Sequence, residues 1–126
     1  MAIQGGTGKQ TKLEPGVWEG EYLDVRGLRG KVRFVLRSVD KAVSGEFEMS
    51  LVTRGRPLVH KGSLEGSVDG TNVRLTLKGP AQVLEHVAEV REAGSYAKQA
   101  LIGVVRTSPG ADWGGGVWIA WRFARD

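Results

Sequence analysis

Apolar and polar residues alternate along most of the chain, most clearly in the segment 58–77. A period of two is typical of β-strands that bury one face. Within this segment Asp69-Gly70 separates two alternating runs, and this dipeptide is a strong signal for a β-hairpin because both residues tolerate a positive φ angle. A turn centred on Asp69-Gly70 predicts Glu65 opposite Arg74. The hairpin should therefore have one apolar or glycine-bearing face and one charged or hydroxylated face.

Three alternating runs precede the hairpin and predict three further strands. They are residues 17–23, 31–38 and 43–53. A tight connection through residues 39–42 would set Phe34 opposite Phe47, so that the apolar faces of the two strands agree. Continuing this pairing into the hairpin places His60 on the inward face, beside Leu51 and near one end of its strand.

Residues 81–93 fit either a strand or a helix. The spacing of their apolar residues suits a helix that Gly94 could end. Three valines, and the β pattern of the surrounding chain, favour a strand. We predict a strand and keep a short helix around residues 82–92 as the alternative. The role of His86 depends on which of the two forms.

The last two predicted strands are apolar on both faces. Alternation places Trp121 inward and Trp118 outward, near Ile102 and Val104 if these strands are neighbours. An outward patch of isoleucine, valine and tryptophan is costly in water and is typical of a protein–protein interface. We therefore expect a homo-oligomer or a subunit of a larger complex, with Ile102, Val104 and Trp118 in the interface.

The alternating segments together predict an all-β fold. We expect an antiparallel up-and-down β-barrel of about eight strands within residues 17–126. Residues 1–16 form an N-terminal arm that is rich in glycine and polar residues. Such an arm is disordered by itself, so we expect it to be ordered by packing on a neighbouring subunit or partner.

One local pattern recurs in the predicted strands: an apolar residue, any residue, glycine, any residue, an apolar residue. Its central glycines are Gly20, Gly45, Gly66 and Gly103. A central glycine lets a strand coil strongly, as a barrel wall requires. With its Gly- and Trp-bearing first strand, the chain resembles the avidin-like and wider lipocalin-related barrels over residues 16–124. The resemblance implies a ligand site in the lumen and oligomer contacts through the late strands.

The inward faces supply candidate lumen residues for a small ligand. They are Trp18, Tyr22, Phe34, Phe47, His60 and Trp121. The polar residues with which the avidin-like family contacts biotin have no counterparts here, so biotin binding is not expected. The run Gly16-x-Trp18-x-Gly20 is also similar to the nitrobindin family of haem barrels. That family places its haem-ligating histidine near the chain end, and no histidine follows His86, so we expect no haem.

The chain is mildly basic, with a net charge of +4 and an isoelectric point of about 9.7. The candidate residues of an anion or nucleic-acid patch are Arg26, Arg29, Lys31, Arg33, Arg37, Arg54 and Arg56. Many nucleic-acid-binding proteins carry such a cluster. The alternative is one side of a solvent-exposed charge ladder with Glu46 and Glu48. We favour the ladder, because the predicted register supplies these acidic partners.

Motifs of catalysis and metal binding are missing from the sequence. There is no cysteine, which excludes disulfides and thiolate metal sites. The phosphate-binding and hydrolase motifs GxxxxGK[ST], GxGxxG, HExxH and GxSxG do not occur. Two histidines are too few for a metal site to be predicted. We therefore predict no catalytic residue, no metal and no cofactor.

The predicted function is that of a non-enzymatic oligomeric barrel that acts as an assembly or interaction module, with a small ligand in its lumen as an added role. Two alternatives stay open: small-ligand binding as the primary role, and nucleic-acid binding through the basic residues. No apolar run approaches the ~20 residues of a membrane-spanning helix, and the N-terminus lacks the apolar core of a signal peptide. We expect a cytoplasmic protein with no membrane partner.

Overall fold

A computed structural model describes residues 12–25, 27–53, 55–80, 83–93, 97–106 and 115–122. These residues form eight antiparallel strands, each paired with the next in chain order, and β1 also pairs with β8 to close a barrel. The strands are β1 (Gly16–Asp24), β2 (Arg29–Val39), β3 (Ala42–Thr53), β4 (Arg56–Asp69), β5 (Asn72–Lys78), β6 (Val83–Glu92), β7 (Gln99–Arg106) and β8 (Gly116–Arg122). The predicted all-β up-and-down barrel is confirmed. No helix in the described part of the chain is long and apolar enough to span a membrane.

The segment that fitted either a strand or a helix forms strand β6 (Val83–Glu92), so the helical alternative around residues 82–92 is wrong. Leu84, His86 and Ala88 point into the barrel and are buried, whereas Val83 and Val87 lie outside. The strand pairs along its length with β5 on one side and β7 on the other. A helix could not supply the hydrogen bonds that these two neighbours require.

The hairpin between β4 and β5 turns one residue later than predicted. Asp69 pairs with Asn72, so Gly70 and Thr71 occupy the two central positions. Gly70 has a φ of 63°, the positive value that the primed hairpin turns need at this position. Each residue of β4 therefore meets a partner two residues further along β5 than predicted, and Glu65 faces Thr76 rather than Arg74. A shift of two residues leaves the inward face unchanged.

The pairing of the earlier strands is confirmed in part. Phe34 faces Phe47 as predicted. The connection between β3 and β4 is tighter than predicted, so His60 lies opposite Met49 rather than Leu51. His60 remains on the inward face and is only 4% exposed, because this shift is again of two residues.

Inward glycines let neighbouring strands approach each other closely. A Cβ atom on Gly20, Gly45 or Gly66 would overlap a backbone carbonyl oxygen of the adjacent strand. Gly103 differs, because its missing side chain makes room for an aromatic ring, as described below. At Gly20, Gly45 and Gly66 the recurring glycine pattern therefore marks close approach between strands, as a coiled barrel wall requires.

The described part of the N-terminal arm packs on its own barrel. Leu13 is 5% exposed and belongs to the hydrophobic core at the end of the barrel that carries the β2–β3 and β4–β5 turns. The buried Gln99 side chain holds the arm there: the backbone N–H of Glu14 donates to its Oε1 at 3.2 Å, and its Nε2 donates to the carbonyl oxygen of Lys12. The expectation that a partner must order the arm is wrong for these residues; residues 1–11 lie outside the described part.

Two further hydrogen bonds fix the junction between the arm and β1. Trp18 Nε1 donates to the carbonyl oxygen of Glu14 at 3.1 Å, and Arg122 Nε donates to that of Pro15 at 2.7 Å. Because the donors lie on β1 and β8, the arm ties together the two strands that close the barrel.

Leu13→Ala should lower the free energy of unfolding by about 2 kcal/mol, because it removes buried apolar volume that caps one end of the core. Urea denaturation followed by tryptophan fluorescence measures this loss. Val17→Ala is the matched control, since Val17 is 43% exposed on the neighbouring strand. Equal losses in the two variants would contradict the capping role of Leu13.

Gly66→Ala should lower the free energy of unfolding by about 1–3 kcal/mol, because the new Cβ would overlap the carbonyl oxygen of Arg74 and push β4 away from β5. Ser67→Ala is the control, because Ser67 is exposed on the outer face of the same strand. The midpoint of urea denaturation compares the two. A Gly66→Ala protein as stable as the Ser67→Ala protein would show that the strands do not need this close approach.

Candidate functional site

Five aromatic and imidazole side chains lie close together inside the barrel. We call them the inner cluster: Phe34, Phe47, His60, His86 and Trp118. Each comes from a different strand, namely β2, β3, β4, β6 and β8. All five are buried, at 0–4% exposure. The closed barrel thus brings together residues that are far apart in the sequence.

Trp118 points inward, which corrects its predicted place in an outer interface. Its side chain is 2% exposed, and it lies directly opposite Gly103 of β7. A Cβ on Gly103 would be 2.5 Å from Cζ2 of the indole, so only glycine leaves room for this ring. An aromatic side chain that covers a glycine of the adjacent strand is a known pairing in β-sheets. Gly103 and Trp118 are visible in the sequence, but they become a signal for an inward Trp118 only once the register of β7 and β8 is known.

Trp121 lies on the outer face, which corrects its predicted place in the lumen. It is half-buried and lines an external groove with Glu19 and Arg33. The remaining candidate lumen residues do face inward. They are Trp18, Tyr22, Phe34, Phe47 and His60. Of these, Trp18 uses its indole N–H to hold the N-terminal arm.

Three rings of the inner cluster contact one another edge to face or at a tilt. The ring centroid of Phe34 lies 5.0 Å from that of Trp118 and 6.3 Å from that of His86. The centroids of His86 and Trp118 are 5.6 Å apart, with 48° between the ring planes. These separations lie within the range of favourable aromatic contacts. The indole and the imidazole are therefore side by side, with the phenyl ring against both.

The inner cluster contains polar atoms that the described residues do not satisfy. Nδ1 and Nε2 of His86 and Nε1 of Trp118 are buried, and none has a hydrogen-bond partner in the described part of the protein. An unsatisfied buried donor or acceptor costs roughly 1–3 kcal/mol. Native proteins keep few such atoms, and those they keep are explained by strain, by a functional role, or by a bound water or ion.

Both histidines are shifted towards the neutral form. The pKa of His86 is lowered to about 3, mainly by burial and to a smaller extent by the positive charge that His60 can carry. Burial also lowers the pKa of His60. At neutral pH each imidazole therefore has one N–H donor and one nitrogen acceptor. Strand alternation located His60 correctly, whereas the prediction left the position of His86 open.

His60 lies towards the end of the barrel opposite Leu13. Its ring contacts Phe47, with centroids 4.9 Å apart, and a Cβ on Gly79 would overlap it. His60 follows the β3–β4 turn, whereas Leu13 lies at the β2–β3 and β4–β5 turns. One end of the barrel is thus capped by the arm, and the histidines are displaced towards the other.

A second feature is an apolar patch on the outside of the wall. We call it the outer apolar face, and its residues are Leu23, Val87, Ile102, Val104, Val117 and Ile119. Five of them are 36–52% exposed, and Ile119 is half-buried among them. A groove of about 380 Å³ runs along part of this face. Ile102 and Val104 therefore point outward as predicted.

The basic residues of β2 lie among acidic residues. Arg37 donates to Oε2 of Glu46 at 3.0 Å, and Arg33 lies 3.6 Å from Glu19. Arg29 and Lys31 are exposed on the same face. Arg26, Arg54 and the side chain of Arg56 lie outside the described residues. The charge-ladder interpretation predicted Glu46 and Glu48 as partners, and the Arg37–Glu46 pair agrees with it, whereas Arg33 is paired with Glu19. The nucleic-acid interpretation stays a prediction.

Comparisons with protein-family models, with curated proteins and with solved structures found no match to this chain. Within the described residues, no group of three or more His, Asp or Glu side chains is placed to hold a metal ion. The functional argument therefore rests on the geometry of the barrel itself.

The buried histidines should make the protein less stable in acid. The pKa of His86 is about 3 in the folded protein against 6.5 as the reference value. Below pH 6.5 His86 binds a proton in the unfolded chain but stays neutral in the folded protein. The free energy of unfolding should thus fall by up to ~1.4 kcal/mol per pH unit for His86 alone, and His60 adds to the loss. Urea denaturation between pH ~7 and ~5 measures this slope.

His86→Phe should flatten that pH dependence, because phenylalanine cannot take up a proton in either state. Glu85→Gln, on the outer face of the same strand, is the control and should keep the slope near pH 6.5. If His86→Phe retained the full slope, another group would be responsible for it.

Proposed function

We propose that the protein binds one small, uncharged molecule inside its barrel, with His86 and Trp118 as its polar contacts. The observation that carries this proposal is the pair of buried side chains whose nitrogen atoms have no partner in the described part of the protein. The centroids of their two rings lie 5.6 Å apart. The proposed role is binding, with no chemical step.

The architecture supports this proposal. A closed barrel of eight strands has an interior just wide enough to be filled by side chains or to hold one small ligand. Avidin-like and lipocalin-related proteins use the same up-and-down topology for that purpose. Kinship with them is part of the proposal, supported by the number, order and direction of the strands.

The environment of the inner cluster favours a neutral ligand. Burial lowers the pKa of His86 because the interior stabilises charge poorly. An ionised ligand would lose its hydration and meet aromatic rings and neutral imidazoles in exchange. A hydroxyl group meets the needs of the site better: its oxygen accepts the indole N–H of Trp118, and its proton goes to an imidazole nitrogen of His86. An aromatic ring on the ligand would then pack against Phe34.

The two ends of the barrel differ in what the described residues place there. Leu13 and the hydrogen bonds of Gln99 cover one end. His60 lies nearer the other end, where its ring fits against Gly79.

Phenol is a direct probe, because it joins a neutral hydroxyl group to an aromatic ring. Titration with phenol should shift the indole N–H signal of Trp118 in a proton–nitrogen NMR spectrum, assigned with the Trp118→Phe variant. Toluene has the same ring without the hydroxyl and should bind about tenfold more weakly, since the hydrogen bonds are lost. Benzoate, which is charged, should not shift this signal.

Variants identify the side chains responsible for the preference for phenol over toluene. His86→Phe and Trp118→Phe should each remove the preference for phenol over toluene, and Glu85→Gln should keep it. If a variant fails to fold, the comparison of phenol, toluene and benzoate on the wild-type protein still tests the proposal. Phenol that binds no better than toluene would refute the proposal. So would an internal water that stays on the Trp118 indole, shown by a water–indole NMR contact, at saturating phenol.

A further inference from the structure

Residues 12–15 of the N-terminal arm precede β1, belong to no strand and lie against one end of the barrel. Of these four residues only Leu13 is buried, whereas Lys12, Glu14 and Pro15 are exposed. The arm therefore adds one side chain to the core and otherwise lies outside it. We call the surface that it contacts the arm seat, and its residues are Trp18, Val39, Val68, Gln99 and Arg122.

The arm seat binds mainly the backbone of the arm. The side-chain amide of Gln99 donates to the carbonyl oxygen of Lys12 and accepts the backbone N–H of Glu14 at 3.2 Å. The indole N–H of Trp18 and Nε of Arg122 donate to the carbonyl oxygens of the last two arm residues. Carbonyl groups belong to every peptide, and N–H groups to every residue except proline. These hydrogen bonds therefore do not depend on which side chains the bound segment has.

Two side chains of the arm add specificity. Leu13 packs on the core near the β2–β3 and β4–β5 turns, where a groove of about 290 Å³ is lined by Leu13, Val39 and Val68 among others. Oε1 of Glu14 lies 3.6 Å from Nη1 of Arg122. Backbone hydrogen bonds that hold a segment and a pocket that selects one side chain are typical of peptide-binding sites. The arm seat thus favours a leucine followed by an acidic residue.

The arm joins the barrel at Gly16, where the chain can turn away from the seat. Gly16 has a φ of 130°, a value that residues with side chains rarely adopt. Because β1 begins at this residue, the arm can leave its seat while the eight strands stay paired. Its release breaks a few hydrogen bonds and exposes one leucine. Such a segment opens locally far more often than the whole barrel unfolds.

We propose that the arm seat is a binding site for a peptide segment in which leucine precedes an acidic residue, and that residues 12–15 occupy this site as a built-in competitor. Such a segment of a partner protein would make the same backbone hydrogen bonds and fill the same pocket. A competitor on a short tether acts at an effective concentration on the order of millimolar. The arm therefore keeps weak partners out of the site.

The arm seat is independent of the proposed ligand site. It lies at the end of the barrel opposite His60 and uses the indole of Trp18, whereas the ligand site uses the indole of Trp118. Phenol binding is measured on Trp118 and peptide binding on the arm seat, so the two proposals can fail separately.

A peptide with the sequence of residues 9–16, KQTKLEPG, blocked at both termini, tests the inference with the full chain. At ~5 mM the unlabelled peptide should move the backbone N–H signal of Glu14 in the nitrogen-15-labelled protein towards its position in a free chain. The indole signal of Trp18 should stay, because a carbonyl oxygen of the peptide replaces that of the arm. The same peptide with serine in place of leucine is the control and should not move the Glu14 signal.

Leu13→Ala weakens the competitor and should therefore bind the peptide about tenfold more tightly than the wild-type protein does. At a concentration that leaves the wild-type protein unaffected, the peptide should raise the urea midpoint of Leu13→Ala. Gly66→Ala is the matched control, because it is destabilised elsewhere and keeps its own arm in the seat.

A Glu14 signal that stays in place at ~5 mM peptide would overturn the inference. So would a folded Leu13→Ala protein whose midpoint the peptide does not raise, or one that responds equally to the serine peptide. If Leu13→Ala fails to fold, the labelled wild-type protein still tests the proposal.

Discussion

Closure of the barrel is the constraint on which the rest of this structure depends. β1 must pair with β2 along one edge and with β8 along the other, which requires strands that tilt and coil strongly. At Gly20, Gly45 and Gly66 a neighbouring carbonyl oxygen occupies the space where a Cβ would lie. The wall therefore closes because side chains are missing at regular places. At Gly103 the vacated volume is instead filled by the indole of Trp118.

Trp118 fills the volume left by a glycine and so helps to form the candidate site. Its indole fits over Gly103 and so reaches the side of His86. Neither ring finds a hydrogen-bond partner in the described part of the barrel, because strand pairing already uses the nearby backbone groups. Burial also keeps the imidazole uncharged by lowering its pKa. The packing that closes the barrel thus leaves polar nitrogen atoms without partners among the described residues, within an apolar interior.

The same strands present different chemistry on their two sides. On β6 and β8, His86 and Trp118 face the interior, while Val87 and Val117 belong to the outer apolar face. Successive side chains of a strand point to opposite faces, so the inner cluster and the outer apolar face lie on opposite sides of the same strands. Residues on one side of the wall can therefore be changed without replacing those on the other.

The alternation of residue types determined the fold class, the inward position of His60 and the pairing of Phe34 with Phe47, because a period of two specifies which side chains share a face. Errors in turn position moved partners by two residues and left the faces intact. Alternation could not orient β8, where both faces are apolar. The pairing of β8 with both of its neighbours decided its orientation. Directly opposed residues point to the same side of a sheet, so Trp118 points inward with Gly103 of β7, and Ala120 points inward with Gly20 of β1. The inner cluster depends on that long-range pairing, which no local pattern contains.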